Sequence, residues 1–160
     1  MKLIMKVSSL LVLSFLLLTS AKSFAQNDAN YQNVNLFIEN WHKNAAEADT
    51  AYFDKIAEGG IYIGTDATEY WTKEEFVDWS RKYFARGKAW TFTTIERNIY
   101  FSDDMKLAWF DELVNTGMGV CRASGVLKST TNGWEIVHYH LGITIPNEHV
   151  KEIKEIIESN

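Results

Sequence analysis

The sequence predicts an α+β fold in which three N-terminal helices cover one face of a curved antiparallel sheet. Apolar residues recur at helical spacing in the first half of the chain, and residues 88–145 hold four segments rich in β-branched and aromatic residues. Helices followed by consecutive strands are typical of α+β domains. Because a curved sheet and three helices cannot close perfectly, we expect a cone with an internal pocket.

The start of the chain has the pattern of a secretory signal peptide. Lys2 and Lys6 precede an apolar run over 10–18, and the Ser-Phe-Ala segment at 23–25 supplies the small residues that signal peptidase prefers. The apolar run is too short to span a bilayer well. We therefore predict that residues 1–25 are removed and that the protein is exported to the periplasm or secreted, without membrane attachment. An uncleaved N-terminal anchor is the alternative.

Composition and charge exclude several classes of protein. The 160 residues include 16 basic and 21 acidic ones, a net charge of −5, and 46% are hydrophobic, which is too apolar for disorder. Removal of residues 1–25 leaves 13 basic and 21 acidic residues, a net charge of −8. A domain this acidic lacks the basic surface of a nucleic-acid binder. The single Cys121 excludes a disulfide within the chain and a multi-cysteine zinc site.

The helical half begins with an amphipathic segment over 31–48, whose apolar residues fall on one helical face. Asp49 can cap a second helix over 50–58, and the glycine pair at 59–60 would end it. Residues 61–64 are then typical of a short strand. The prediction is therefore two helices and one strand in this segment.

A third helix is predicted from its capping residues. Thr72 and Glu75 match a capping box, in which each side chain bonds the backbone amide of the other. The helix should end near Gly87, where the helical period stops. Its buried face would carry Phe76, Trp79 and Tyr83.

The second half is predicted to form an antiparallel meander of long strands joined by short turns, which suggests a strongly curved sheet. Pro146 stops the last strand, so that a domain over 26–146 is followed by an amphipathic C-terminal helix within 147–160. The predicted strands are 89–101, 107–115, 118–129 and 134–145.

Five blocks of the sequence carry a family resemblance together with Phe53 and Phe76, and these blocks are 61–66, 69–71, 108–112, 122–127 and 133–140. They resemble the SnoaL-like branch of the nuclear transport factor two superfamily, and the likeness spans about residues 31–146. The resemblance implies a cone-shaped α+β barrel that is often dimeric through the outer face of its sheet. Members of the superfamily use the pocket as an enzyme site, as a binding site or only as a structural cavity. The resemblance therefore implies a fold more firmly than a function.

Two histidines near the end of the domain are candidate catalytic residues. Strand alternation places His138 and His140 on one face with Trp134 and Ile136, and we expect this face to point into the cone. Imidazoles on a pocket wall can act as acid or base near neutral pH, chelate a metal jointly, contact a ligand, or be hydrogen-bonded within a core. We expect no metal and no cofactor, and the role of the two rings stays open.

Asp111 and Arg122 form a candidate pair on neighbouring strands. If residues 116–117 form a two-residue turn, Asp111 lies opposite Arg122 on one face of the sheet. One interpretation is a buried ion pair with a structural role. The other is a functional pair, in which Arg122 holds a carboxylate or enolate oxygen of a ligand and Asp111 is a catalytic base.

Aromatic residues are the candidate walls of the pocket, because small-molecule sites are usually apolar clefts with a few polar groups. Tyr62 and Trp109 are the leading ligand-binding candidates, and Trp79 and Trp90 follow, although packing in the core explains most of them equally well. Asp66 lies just after the first strand, near the expected opening of the cone. It is either a ligand contact or a turn-forming residue.

Three functions remain open from the sequence. The leading hypothesis is an exported pocket protein that binds a small, partly apolar molecule, which could carry a carboxylate. The second is a cofactor-free isomerase, cyclase or dehydratase that uses histidine and aspartate as acid and base, so that enzymatic activity is undecided. The third is a homodimeric assembly module, in which Val137, Tyr139 and Leu141 form the dimer contact on the outer sheet face.

Overall fold

The structure is a computed structural model that describes residues 28–159. The predicted signal peptide lies outside the described residues. Residues 28–36 begin the first helix, and the chain from Phe37 onward forms one compact unit. Among residues 28–159, no helix has both the length and the apolar character needed to cross a membrane.

The N-terminal half contains the three predicted helices and two short strands. The third helix begins as predicted, because Thr72 Oγ1 accepts a hydrogen bond from the Glu75 amide and the Glu75 carboxylate accepts one from the Thr72 amide at 2.8 Å. In chain order the elements are α1 (28–46), α2 (Ala51–Asp54), β1 (Ile56–Ile63), β2 (Tyr70–Thr72) and α3 (Lys73–Phe84).

The second helix is shorter than the sequence predicts. It ends at Asp54, and the first strand starts at Ile56, so that Gly59 and Gly60 lie within a strand instead of ending a helix. Ile56 is buried and pairs with Ile136, and the pairing becomes irregular beyond it. Gly59 has a φ of +72°, a conformation that glycine adopts without strain and that suits a bulge. A glycine pair indicates unusual backbone angles, but it does not distinguish a bulge from a helix end.

Four long strands follow, β3 (Thr93–Phe101), β4 (Leu107–Thr116), β5 (Gly119–Thr130) and β6 (Gly133–Ile143). They pair as the predicted antiparallel meander. The complete sheet has the order β2-β1-β6-β5-β4-β3, and β1 runs parallel to β6. The α+β class is confirmed, and the sheet is mixed where a purely antiparallel one was predicted. A parallel pair requires a long crossover, which the chain between β1 and β6 provides.

The sheet has an inner face, which carries the core, and an outer face. Alternation along β4 defines the two, since Phe110 and Glu112 are buried whereas Trp109 and Asp111 point to the other side. The part of helix α1 from Phe37 onward packs on the inner face, where the ring of Trp41 meets that of Tyr139 edge-on at 4.7 Å. The buried aromatic residues of this face are Trp41, Tyr52, Phe53, Tyr62, Phe76, Phe110 and Tyr139.

A bulge in β6 reverses the predicted facing of its second half. Val126 pairs with His138 and Leu127 pairs with Ile136, so that Val137 is an extra residue without an opposite partner. Before the bulge Ile136 is buried, and after it the buried residues are Tyr139 and Leu141. The prediction that the faces of His138 and Ile136 coincide is therefore wrong. Tyr139 and Leu141 belong to the core and cannot form the outer dimer contact that the sequence predicted for them.

The turn between β4 and β5 is shifted by one residue from the prediction. Thr116 pairs with Gly119, so the two turn residues are 117 and 118. In consequence Asp111 lies opposite Ser124, and Leu113 lies opposite Arg122. A shift of one position at the turn moves the pairing register by two residues, which preserves the face on which each side chain lies.

The C-terminal segment is helical, as predicted. A 3₁₀ turn over Asn147–His149 leads into α4, Val150–Glu158. The apolar side chains Val150, Ile156 and Ile157 are exposed.

Candidate functional site

A cavity of about 490 Å³, which we call the aromatic cavity, opens in the described part of the chain. Its wall is formed by residues of strands β1 and β2, helix α3, the segment 88–92 and the β4–β5 turn. Most of the wall is apolar. The residues that line it are Tyr62, Gly64, Thr65, Glu69, Trp71, Phe76, Trp79, Lys88, Ala89, Trp90, Thr91, Phe92, Thr116, Gly117, Met118 and Leu141.

The aromatic wall is assembled by local rules that the sequence obeys. Residues at helical spacing on α3 place Phe76 and Trp79 on one side, and the antiparallel pairing of Tyr62 with Trp71 places their rings beside them. The ring of Tyr62 stacks on that of Phe76 at 3.9 Å, and the rings of Trp71 and Trp79 are 4.6 Å apart. Trp90 completes the wall, 5.8 Å from Phe76. These rings contact one another, so the wall is continuous.

The mouth of the cavity is formed by the turn between β1 and β2. The Glu69 carboxylate accepts hydrogen bonds from the amides of Thr65 at 2.9 Å and Asp66 at 3.2 Å. Thr65 Oγ1 donates to Met118 Sδ at 3.8 Å, which ties this turn to the β4–β5 turn. Lys88 contributes a positive charge to the wall, and its side chain is exposed.

Buried hydroxyl and indole groups lie at the inner side of the aromatic wall. Tyr52 Oη, Tyr139 Oη and Trp90 Nε1 are buried, and none is aligned with a hydrogen-bond partner. Burial raises the pKa of the Tyr52, Tyr62 and Tyr139 hydroxyls well above the usual tyrosine range. At neutral pH these groups are therefore neutral and can donate hydrogen bonds.

A buried set of ionisable side chains, which we call the ionic trio, lies behind Phe92. The Arg97 guanidinium donates to Glu112 Oε2 at 2.9 Å, and His42 Nε2 lies 3.2 Å from Glu112 Oε1, although that pair is not aligned as a hydrogen bond. Burial by itself would raise the pKa of Glu112, but the contacts with His42 and Arg97 lower it below the usual range. The ring of His42 is 4.7 Å from that of Phe92, which separates the trio from the cavity.

A second, smaller hollow of about 360 Å³ lies on the outer face, and we call it the outer hollow. Asp111, Arg122, Ser124 and His140 line it. Arg122 Nη1 is 3.8 Å from Asp111 Oδ1, and Asn98 donates to the same oxygen at 3.2 Å. Both members of the ion pair are partly exposed. The pair is therefore not the buried one that the sequence suggested.

The predicted site residues separate into two groups. Tyr62, Trp79 and Trp90 line the aromatic cavity. Asp111, Arg122 and His140 meet at the outer hollow, and His138 and Trp109 lie on the same outer face. The prediction that the imidazoles point into the interior is wrong, because the bulge at Val137 turns them outward.

Two further candidates lie away from the cavity wall. The indole of Trp109 is exposed and stacks on Tyr100 at 5.9 Å on the outer face. Asp66 is exposed in the turn at the mouth, where its carboxylate accepts from the amide and the hydroxyl of Thr68. Those hydrogen bonds lower the pKa of Asp66, which fits the turn-forming interpretation.

Sequence reasoning missed several residues of the cavity wall. Glu69, Lys88, Phe92 and Met118 line it, and none belongs to a helical or strand pattern that points to a pocket. Glu69 carries the only available signal, since it lies within turn distance of Asp66. Among residues 28–159, no group of three or more His, Cys, Asp or Glu side chains could hold a metal ion.

Comparison with known proteins agrees with the fold. The family model of the SnoaL-like domain matches residues 34–146. A nuclear transport factor two-like protein of unknown function from Pseudomonas putida has a similar structure, with a TM-score of 0.63 and 14% identity over 76% of this chain and 91% of that one. No curated protein sequence matches the chain.

Two further solved structures illustrate the range of similar proteins. A proposed dehydratase of the same superfamily from Streptomyces avermitilis has a TM-score of 0.63 and 14% identity over 75% of this chain and 99% of that one. The association domain of Caenorhabditis elegans CaMKII has a TM-score of 0.61 and 14% identity over 72% of this chain and 97% of that one. At this level of identity the likeness shows the fold alone.

Proposed function

The chain belongs to the SnoaL-like domain family, and from that premise we propose that it is an exported protein that binds a small, partly apolar molecule in the aromatic cavity. The observation that carries this proposal is the cavity itself, about 490 Å³ in volume and lined by a continuous aromatic wall. Small-molecule sites typically have volumes of about 300–1,000 Å³ and apolar walls with a few polar groups. Export rests on the signal-peptide pattern of residues 1–25.

Binding is supported better than acid–base catalysis by the positions of the titratable groups. The alternative enzyme function assigned the roles of acid and base to His138, His140 and Asp111, and these residues lie on the outer face. The titratable side chains on the cavity wall are Tyr62, Glu69 and Lys88. A base must lie within hydrogen-bond reach of the proton it removes, which the outer residues do not satisfy for a ligand in the cavity.

A blocking variant tests the proposal. Ala89 lies on the cavity wall in the segment before β3, so that Ala89→Trp should fill the cavity without disturbing the sheet. Ala85→Trp places the same side chain at the exposed end of α3 and is the matched control. Native mass spectrometry against a library of small, partly apolar molecules should detect binding to the wild type and to Ala85→Trp, but not to Ala89→Trp. Equal binding by all three proteins would refute the cavity as the site.

We also propose that the chain forms a homodimer through the outer face. The observation behind this is a set of neighbouring exposed apolar side chains on the outer face of β3 and β4, namely Tyr100, Leu107 and Trp109. Contiguous exposed apolar surface often marks an interface. Asp111 and Arg122 carry opposite charges on the same face, so that a two-fold axis passing between them would bring each beside its opposite in the second copy.

The dimer is tested by light scattering after size-exclusion chromatography. Trp109→Lys should halve the molar mass at micromolar concentration, because it places a charge in the apolar patch. Ile156→Lys introduces the same charge at an exposed position of α4 and should leave the mass unchanged. A monomeric wild type would contradict the proposal.

A further inference from the structure

Building on the proposed function, we infer that the ligand of the aromatic cavity carries an organic cation, such as an alkylammonium group, which binds between the Glu69 carboxylate and the neighbouring indole rings. The sequence alone favoured a carboxylate-bearing ligand because of Arg122. That guanidinium lies at the outer hollow and does not line the cavity. The charge of the ligand must therefore be inferred from the groups that do line it.

The Glu69 carboxylate is held in a fixed position at the mouth. Its Oε2 atom accepts two backbone amides, and the same turn is closed by a hydrogen bond from the Gly64 amide to the Glu69 carbonyl at 2.8 Å. A Cβ atom at Gly64 would overlap the carboxylate of Glu69 and approach its Cβ to 2.9 Å, so that the glycine makes room for the acid. Both amide contacts use one oxygen, which leaves the other for a ligand.

The indole rings that line the same cavity as Glu69 form a surface that attracts cations. The faces of indole and phenol rings are electron-rich and bind ammonium groups within about 6 Å, most strongly when water is excluded. Trp71 lies 4.6 Å from Trp79, which in turn lies 6.1 Å from Trp90. The side chain of Lys82 already uses this property, with Nζ 5.9 Å from the Trp79 ring and 5.0 Å from that of Tyr83.

Among the charged groups that line the cavity in the described part of the chain, the Glu69 carboxylate is the one that hydrogen bonds hold in place, and Lys82 lies against the ring of Trp79 from helix α3. Burial is the main cause of the raised pKa of Tyr62, and the negative charges of Glu69 and Glu112 raise it further. Lys88 is the positive group on the wall, but its chain is exposed and no ion pair or hydrogen bond fixes it among the described residues. The whole chain carries a net charge of −5, which also attracts cations.

The inference is tested with three probes that share a naphthalen-2-ylmethyl group and differ in the charge of the group attached to it. Naphthalen-2-ylmethyl-trimethylammonium is the cation, naphthalen-2-ylmethanol the neutral analogue and naphthalen-2-ylacetate the anion. Isothermal titration of the full mature protein should give a dissociation constant for the cation about tenfold lower than for the neutral probe, and the anion should bind most weakly. Glu69→Gln should remove most of this preference, because its amide oxygen can still accept the two backbone bonds while the charge is lost. Glu58→Gln, at a highly exposed position, is the matched control and should keep the preference.

The outcomes separate this inference from the proposed function. Binding of the neutral probe with no preference for the cation would leave the cavity as a binding site and overturn the inference. Tightest binding of the anion, lost in Lys88→Ala, would overturn it in favour of the opposite charge. Failure of all three probes to bind the wild type would overturn the inference and count against the proposed function as well.

Discussion

Asp111 and Glu112 are neighbours in β4, yet their carboxylates lie on opposite faces of the sheet and in different environments. Glu112 is 1% exposed and belongs to the ionic trio with His42 and Arg97. Asp111 is partly exposed and pairs with Arg122 at 3.8 Å on the outer face. The comparison shows that the face of the strand, more than the type of residue, decides what each carboxylate contributes.

The inner pair, Glu112 with Arg97, and the outer pair, Asp111 with Arg122, should contribute very different amounts to the free energy of unfolding. A buried charge that loses its partner remains desolvated and uncompensated, whereas an exposed charge is solvated by water. Contacts on the inner face therefore contribute most of the folding stability, and the proposed ligand site lies on the same side of the sheet. The outer face carries the proposed dimer contact, for which exposed groups are required.

The largest expected effect comes from removing the inner carboxylate. Glu112→Gln removes the buried carboxylate that pairs with Arg97 at 2.9 Å and leaves the partly exposed Glu39, at 3.9 Å, as a weaker counter-charge, so it should lower the free energy of unfolding by about 3 kcal/mol. Asp111→Asn, one position away, should lower it by less than about 1 kcal/mol. Urea unfolding followed by circular dichroism measures both. Similar losses in the two variants would contradict the contrast between the faces.

The pH dependence of stability sharpens the same contrast. The pKa of Glu112 in the folded protein lies below its value of about 4.3 in the unfolded chain. Its stabilising contribution is therefore fully present above about pH 4.3 and is lost as the pH falls through the folded pKa. The difference in unfolding free energy between the wild type and Glu112→Gln should be larger at pH 7 than at pH 3. A difference that is constant or grows on acidification would contradict this assignment.

A matched pair of glycines tests the packing of the two faces. A Cβ atom at Gly125 would lie 2.5 Å from the ring of Phe110, whereas one at Gly142 would meet nothing closer than 3.6 Å. Gly125→Ala should therefore destabilise the fold by about 1–3 kcal/mol, as overpacking does. Gly142→Ala should change stability by less than about 0.5 kcal/mol. Thermal unfolding of the two variants measures both changes in stability. A loss of stability in Gly125→Ala smaller than about 1 kcal/mol would show that the inner face is loosely packed.

A small effect is also expected for the outer ion pair. Arg122→Ala should change the unfolding free energy of the monomer by less than about 1 kcal/mol, and the change should shrink in high salt. Unfolding in low and high sodium chloride measures it. A salt-insensitive loss of several kcal/mol would mean that the pair is effectively buried.

Local signals in the sequence predicted much of the fold. Thr72 and Glu75 specify the start of α3 through hydrogen bonds between residues three apart, and the strand and turn pattern specifies the meander. The parallel pairing of β1 with β6 was not predicted, because it joins segments about 75 residues apart that no local pattern connects. The recognised family confirmed the fold class without resolving these details.

The site was predicted less well, because a single inserted residue decides it. Val137 has the side chain of an ordinary strand residue, and nothing in the sequence marks it as a bulge, yet it turns His138 and His140 to the outer face. The aromatic residues Tyr62, Trp79 and Trp90 follow regular strand or helix positions or lie beside them, and they reach the cavity. The position of Glu69 at the cavity mouth depends on how the turn between β1 and β2 folds, which the sequence alone does not specify.

The central claim is that the aromatic cavity binds the ligand and the outer face does not. The indole N–H signals of the six tryptophans in a ¹H–¹⁵N spectrum, assigned with Trp→Phe variants, report on both faces at once. During titration with naphthalen-2-ylmethyl-trimethylammonium, the signals of Trp71, Trp79 and Trp90 should shift while that of Trp109 stays in place. A shift of Trp109 with unchanged cavity signals, or no shift at all, would contradict the account.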